Sequence, residues 1–298
     1  MRYDVIIVGG SFAGLAAAIY LGRAHRSVCV IDARQPRNRF AKEFHGFFAQ
    51  DGSDPRAILG TMRRQISAYP TVHFISDAAV DAKKDNCDIK VVLANGSIVA
   101  GSRLLLAFGV SDILPEISGL SERWGKSVLH CPYCHGYEVS GQQLGVLNVS
   151  TMSLQQALLV SDWGPTTFYT NGAELYGQGL EQLQRRNIEI ERDPVVGVVG
   201  EQHMLSSIQF ADGRFRPLEA LFISPRVALN SKIAEEIGCE IQNGPNGHFI
   251  TVDDMMMTTV HGIYAAGDIA RASHNITFAC ADGVAAAMAI HRLLVLES

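Results

Sequence analysis

Val5-Ile6-Ile7-Val8-Gly9-Gly10-Ser11-Phe12-Ala13-Gly14 is the stretch that decides the fold of this chain. Four β-branched residues in succession form a strand buried on both faces, and such strands belong to parallel sheets covered by helices. The glycine turn opens a helical stretch over residues 15–24. A second strand, Ser27-Val28-Cys29-Val30-Ile31, ends at Asp32, eighteen residues after Gly14. Strand, glycine turn, helix, strand and acid is the order of a dinucleotide-binding unit. Small residues are needed at the turn because backbone N–H groups must approach a pyrophosphate at the helix N-terminus. Ser11 stands where the second glycine of G-x-G-x-x-G belongs. Alone, so degenerate a motif says little; its strand–helix–strand setting gives it weight.

Two later stretches extend the unit. Leu104-Leu105-Leu106-Ala107-Phe108-Gly109 is an apolar strand ending in glycine, and Gly262-Ile263-Tyr264-Ala265-Ala266-Gly267-Asp268 is another, followed by a long helix over residues 277–296. A nucleotide domain built from both ends of the chain implies a second domain inserted between them. The expected boundaries are 1–114 with 247–298 for the first domain and 115–246 for the insert. The insert repeats the plan: Asn95-Gly96 and Asp212-Gly213 are hairpin turns, each leading into a closing strand (residues 104–106 and 220–223). Its opening strand, Leu144-Gly145-Val146-Leu147, is followed by Asn148-Val149-Ser150-Thr151-Met152-Ser153, which contains no glycine, and then by a helix over residues 154–159. The next strand, residues 166–169, runs into Thr170-Asn171-Gly172, without an acid for a ribose hydroxyl or an arginine for a 2′-phosphate. The expected fold class is α/β, with two Rossmann-like nucleotide-binding domains, the second inserted in the first.

Cys131-Pro132-Tyr133-Cys134-His135-Gly136-Tyr137-Glu138 carries the chemistry. A Cys-x-x-Cys pair closes a small ring and exchanges its disulfide readily, and a histidine beside it suits proton transfer near neutral pH. The same spacing is half of a zinc site, which would need two further ligands. The remaining cysteines, Cys29, Cys87, Cys239 and Cys280, are scattered singly, and His130 and His135 lie too close in sequence to complete a tetrahedron easily. Redox chemistry is the favoured reading of the pair, with zinc the alternative.

With 298 residues, 47% of them hydrophobic, the chain can bury a large core and divides most naturally into two domains. A net charge of −5 gives no basic footprint, so no nucleic-acid partner is expected. Six cysteines are too few for a disulfide scaffold and point to a reducing compartment. The apolar N-terminus leads into a glycine turn and reads as a strand, not a signal peptide. The late apolar stretch, residues 279–290, carries Asp282 and is too short to span a bilayer. A cytoplasmic protein without membrane contact is expected.

Taken together, the order of motifs resembles the low-molecular-weight thioredoxin reductases over essentially the whole chain. The resemblance implies the FAD/NAD(P) disulfide reductase fold, an FAD domain split around a pyridine-nucleotide domain, and a homodimer. Cys131, Cys134 and Gly136 match the family's Cys-x-x-Cys-Asp-Gly site, with His135 in place of the aspartate. Gly9, Gly14 and the Gly267-Asp268 pair match its FAD signature. His274-Asn275 sits where the family has Arg-Gln beside the flavin. The Cys-x-x-Cys-His-Gly-Tyr-Glu variant looks more like a side branch: dithiol oxidases of the gliotoxin type, ferredoxin-linked reductases and diflavin-linked disulfide oxidoreductases, several of which lack a working NADPH site.

By that resemblance Cys134 lies next to the flavin and carries the charge-transfer thiolate, Cys131 meets the partner, and His135 shuttles the proton or serves as a strut. Asp32 meets the adenosine ribose and Asp268 the ribitol or phosphate region. Cofactor contacts are carried over to Gly9, Ser11, Phe12, Ala13, Gly14, Asp32, Ala33, Arg37, Asn38, His45, Ala107, Gly109, Gly267, Asp268, His274, Asn275 and Ile276. His45-Gly46-Phe47-Phe48 approaches the FAD or forms a core aromatic pair, and Met255-Met256-Met257 is expected in the core. Trp163 and Tyr169 line a vacated crevice or sit in the core.

Each lost charge-assisted phosphate contact is worth roughly 1.5–3 kcal/mol, so losing about two arginines weakens NADPH binding by at least ~10²-fold. FAD is therefore expected, NADPH is not, and a second FAD would suit the vacated crevice. The expected function is NADPH-independent oxidation of a dithiol through Cys131–Cys134 and FAD, with oxygen or a second flavin as acceptor. The alternatives are a thioredoxin reductase fed by ferredoxin or an atypical NADPH mode and, in another class, a non-catalytic flavin redox sensor. The partner is accordingly a dithiol small molecule or a thioredoxin-like protein.

Overall fold

The computed structural model describes residues 2–85 and 88–297, so Cys87 lies outside the described residues. The chain groups into two compact units. Met1–Arg39, Arg56–Ser111 and Val227–Ser298 form the first, and Phe40–Pro55 with Asp112–Arg226 forms the second.

In the first unit Arg2–Val8 is the central strand. It pairs in parallel with Val28–Ile31 on one side and Ile98–Leu106 on the other; Val72–Ile75 extends the sheet beyond Val28–Ile31, and Ile263–Ala265 adds to Ile98–Leu106. Both faces of the central strands are covered, as the β-branched runs require: Val5, Ile6 and Ile7 are fully buried. The Asn95-Gly96 turn closes the antiparallel hairpin between Asp88–Leu93 and Ile98–Leu106, and Ala79–Asp85 completes the meander.

The second unit repeats the plan. Glu189–Glu191, Thr166–Tyr169, Leu144–Leu147, Ala220–Ile223 and Val128–Leu129 form a parallel sheet in that order. The Asp212-Gly213 hairpin joins Ser207–Phe210 to Phe215–Pro217. Here the hairpin belongs to a separate three-stranded sheet with Val195–Val199, because the chain breaks at Leu218 before the closing strand.

The boundaries of the compact units differ from those expected. The chain returns to the first unit at Val227, not at residue 247, because Val227, Ile233, Ala234 and Cys239 pack into the same core as Ile6 and Leu104. Phe40–Pro55 leaves the first unit and joins the second.

The last helix, Ile276–Leu296, is 21 residues long, and by length and composition it could cross a membrane. It is instead built to pack on Phe12–Arg23. A Cβ at Gly283 would lie 2.1 Å from the Ala13 carbonyl oxygen, so the two helix backbones approach as closely as glycine allows. Asp282 is 3% exposed, pairs with Arg271 through both carboxylate oxygens and accepts from the Gly267 N–H at 3.3 Å.

Three smaller expectations change. Met255 is exposed, and the Met255 and Met257 N–H groups donate to Asp253 Oδ1, so this segment is a surface turn rather than core. Phe48 is 95% exposed and forms no core pair with Phe47. Tyr169 is fully buried against Phe210, its ring centroid 6.1 Å away, and is core.

Candidate active site

Cys131 has extended backbone and caps a single helical turn, Pro132–His135, with Pro132 at the first position, where its missing N–H costs nothing. The Cys134 N–H donates to the Cys131 carbonyl at 3.2 Å and the Gly136 N–H to the Pro132 carbonyl at 2.7 Å. The turn is fixed from below. A Cβ on Gly136 would lie 2.8 Å from the Trp163 ring and 2.6 Å from the Pro132 carbonyl oxygen. Trp163 therefore packs directly on the turn's backbone, and it meets Tyr133 edge-on at 5.8 Å. Gln156, nearly buried, donates from Nε2 to the His130 carbonyl at 2.6 Å and so ties the helix Ser153–Val160 to the residue preceding Cys131. Tyr133 and Tyr137 are exposed on the same segment.

His135 is half-buried, and that burial pushes its pKa below the usual histidine value, with Glu138 opposing the shift and His45 adding to it. His45 comes from a compact loop closed by the Phe44–Ser53 bridge. Its Nδ1 lies 3.4 Å from Asp51 Oδ2 and its Nε2 3.3 Å from Glu138 Oε1. His45, expected at the cofactor, is thus held against the dithiol segment. Among the described residues no group of three or more His, Cys, Asp or Glu side chains is placed to hold a metal ion.

The first unit gathers the other expected residues in two places. At the glycine turn, Gly9 adopts φ +112°, a conformation L side chains rarely adopt. Ser11 is the N-cap of the helix Phe12–Arg23 and makes no side-chain capping bond. Asp32 packs under Gly10 and pairs with Arg63, which also donates to the Gly10 carbonyl at 2.9 Å. Asp32 Oδ1 accepts from the Arg34 N–H, just past Ala33. Some distance along the sequence, Arg37 Nη1 lies 3.1 Å from Asp268 Oδ2 and 2.8 Å from His274 Nδ1. Beside Arg37, the Asn38 Nδ2 is buried and has no hydrogen-bond partner among the described residues. Asn275 caps the last helix, accepting from the Thr277 N–H at 2.8 Å, and Ile276 is that helix's first residue. The Ala107 N–H donates to the Val8 carbonyl, and the Gly109 carbonyl accepts from Asn230.

The corresponding turn of the second unit is closed. Ser153 is fully buried, and its Oγ accepts from the Val149 and Ser150 N–H groups at 3.0 and 3.1 Å. The Ser150 hydroxyl accepts from the Met152 N–H at 3.3 Å, and the Ser153 N–H donates to the Ser150 carbonyl at 3.1 Å. The Val149, Ser150, Met152 and Ser153 N–H groups thus have partners inside the turn.

A family model described as pyridine nucleotide-disulphide oxidoreductase matches residues 3–149 and 170–283. The chain belongs to this family. As a pyridine nucleotide-disulphide oxidoreductase of thioredoxin-reductase type it is an FAD-dependent enzyme. Thioredoxin reductase tcpT of Claviceps purpurea (strain 20.1) is 32% identical, over 98% of this chain and 94% of that protein. The crystal structure of an oxidoreductase from Agrobacterium tumefaciens superimposes with a TM-score of 0.95 at 42% identity, covering all of both chains. The structure of HlmI gives 0.94 at 34% identity over 99% of this chain and 93% of that one.

The residues of this oxidoreductase's first unit fit FAD: a glycine turn opening a helix, an acid after the second strand and a buried Asn38 amide without a hydrogen-bond partner among the described residues. Sequence reasoning missed Arg63, Gln156 and Glu138 as members of the site. Arg63 lies on an amphipathic helix, Pro55–Ile66, with a strong polar face, and nothing local marks it as the partner of Asp32. Glu138 carried the one available signal, three residues after His135 on a helical segment.

Proposed function

We propose that this enzyme passes electrons between a Cys131–Cys134 disulfide and FAD without NADPH, and that it oxidises a dithiol. The observation that carries the NADPH-independent reading is the closed turn at Val149, Ser150, Met152 and Ser153, whose N–H groups already have partners in the chain. Binding a pyrophosphate there would require breaking those bonds. FAD would be held by the turn from Gly9 to Gly14, Asp32, Asn38 and the Arg37–Asp268–His274 cluster. When bound, FAD supplies the two-electron acceptor that the dithiol chemistry needs.

In the exchange, one substrate thiolate attacks Cys131 Sγ, the Cys131–Cys134 bond breaks, and Cys134 leaves as a thiolate. The second substrate thiolate attacks the mixed disulfide, releasing Cys131 and the substrate disulfide. His135, held neutral by burial, accepts a substrate thiol proton. Oxygen or a second flavin is the final acceptor, and Tyr133 and Tyr137 form the exposed rim where substrate arrives. The apolar outer face of the last helix, with Phe278, Met288 and Val295 exposed, supports a homodimer. Buried, unpaired Cys29 and Cys239 support a reducing, cytoplasmic setting.

A second reading, reduction of a thioredoxin-like protein, is favoured by the name thioredoxin reductase borne by its relatives. Anaerobic stopped-flow reduction of the flavin, with NADPH, reduced ferredoxin and a dithiol tried separately, separates the two. Fast reduction by the dithiol and slow reduction by millimolar NADPH is the expected result. Saturable reduction by micromolar NADPH would overturn it.

A further inference from the structure

The loop that carries His45 is built to serve the dithiol segment. The Gly46 N–H donates to Asp51 Oδ1 at 2.8 Å, while Asp51 Oδ2 lies 3.4 Å from His45 Nδ1. This fixes the ring so that its far nitrogen, Nε2, reaches Glu138 Oε1 at 3.3 Å. The ring is mostly shielded, its side chain 21% exposed, so its contact with Glu138 is screened less than a surface pair would be. Glu138 follows His135 by three residues on a segment that continues the helical turn, with Ser140 Oγ donating to the Gly136 carbonyl and the Ser140 N–H to the Tyr137 carbonyl. Positions three apart on such a segment share a face.

We propose that Asp51, His45 and Glu138 form a positioning chain that sets the proton affinity of His135. The inference rests on the reading of His135 as the proton acceptor. Asp51 orients His45, and His45 holds the Glu138 carboxylate beside His135. The charged groups acting on His135 are Glu138 on its own segment and His45 on the packed loop. Glu138 favours the imidazolium that forms when His135 takes a thiol proton, and a protonated His45 opposes it. His45 acts on His135 chiefly through the Glu138 carboxylate that it holds.

The test is the pH profile of anaerobic flavin reduction by dithiothreitol in the FAD-loaded enzyme, for the wild type, Glu138→Gln, His45→Gln and His135→Ala. The histidine limb of the profile is expected to move to lower pH in Glu138→Gln and, with that carboxylate released, to lower pH in His45→Gln as well. Glu138→Gln and His45→Gln should each lose about three- to tenfold in rate at the wild-type optimum, a small part of a full general acid–base contribution. Flavin absorbance and the thermal midpoint of each variant show whether it is folded and loaded, and Glu138→Asp keeps the charge should Glu138→Gln fail to fold. A limb that stays in place in both variants but vanishes in His135→Ala overturns the positioning chain alone. A limb unchanged in His135→Ala overturns the reading of His135 itself.

Discussion

Ser153→Ala isolates the contact that closes the second turn. Its hydroxyl accepts two N–H donors, from Val149 and Ser150, at ordinary hydrogen-bond distances, and the side chain has no solvent exposure. Alanine removes the acceptor without adding volume. If water reaches both N–H groups, the loss is the net worth of two hydrogen bonds, about 2 kcal/mol. If the donors stay dry, each carries a desolvation penalty of about 1–3 kcal/mol, and the total approaches ~4 kcal/mol. The half-buried state of Val149 and Ser150 places the outcome between these limits. Urea unfolding of the FAD-loaded enzyme should show a lower midpoint with an unchanged slope. Flavin reduction by NADPH should stay slow, since no cationic side chain is gained for a 2′-phosphate. A loss below about 0.5 kcal/mol would refute the reasoning, because the N–H groups would then have another partner and the turn would not be closed by Ser153.

Gly136→Ala forces a methyl group against the Trp163 ring and the Pro132 carbonyl, an overpacking cost of about 1–3 kcal/mol. Thermal unfolding measures it, and a double-mutant cycle with Trp163→Leu should recover part of the loss. Asp282→Ala leaves the Gly267 N–H without its acceptor and the part-exposed Arg271 without its partner, and equilibrium unfolding should show a loss of about 1–3 kcal/mol. His135 has its pKa lowered by burial, so the unfolded chain binds its proton first as the pH falls. Stability is therefore full above the ordinary histidine value of 6.5 and declines as the pH drops below it. Unfolding measured across pH 5–8 in His135→Gln should show a shallower acid-side decline than the wild type.

Much of this enzyme was legible in local sequence because its signals are local. A β-branched run, a glycine turn and an acid at fixed spacing describe one nucleotide-binding unit. The glycine-free stretch from Asn148 to Ser153 likewise showed that the second turn differs, and the Cys-x-x-Cys-His run marked the chemistry. Other features depend on residues brought together from distant parts of the chain. Arg63 meets Asp32 because a helix packs beside the sheet, and Arg37 meets Asp268 across more than two hundred residues. His45 faces Glu138 because the loop carrying it packs within the second unit. The hydroxyls of Ser150 and Ser153 could be read as missing glycines, but their closure of the turn depends on where each side chain points. Pairing of charges and satisfaction of N–H groups are set by three-dimensional proximity, which spacing along the chain does not encode.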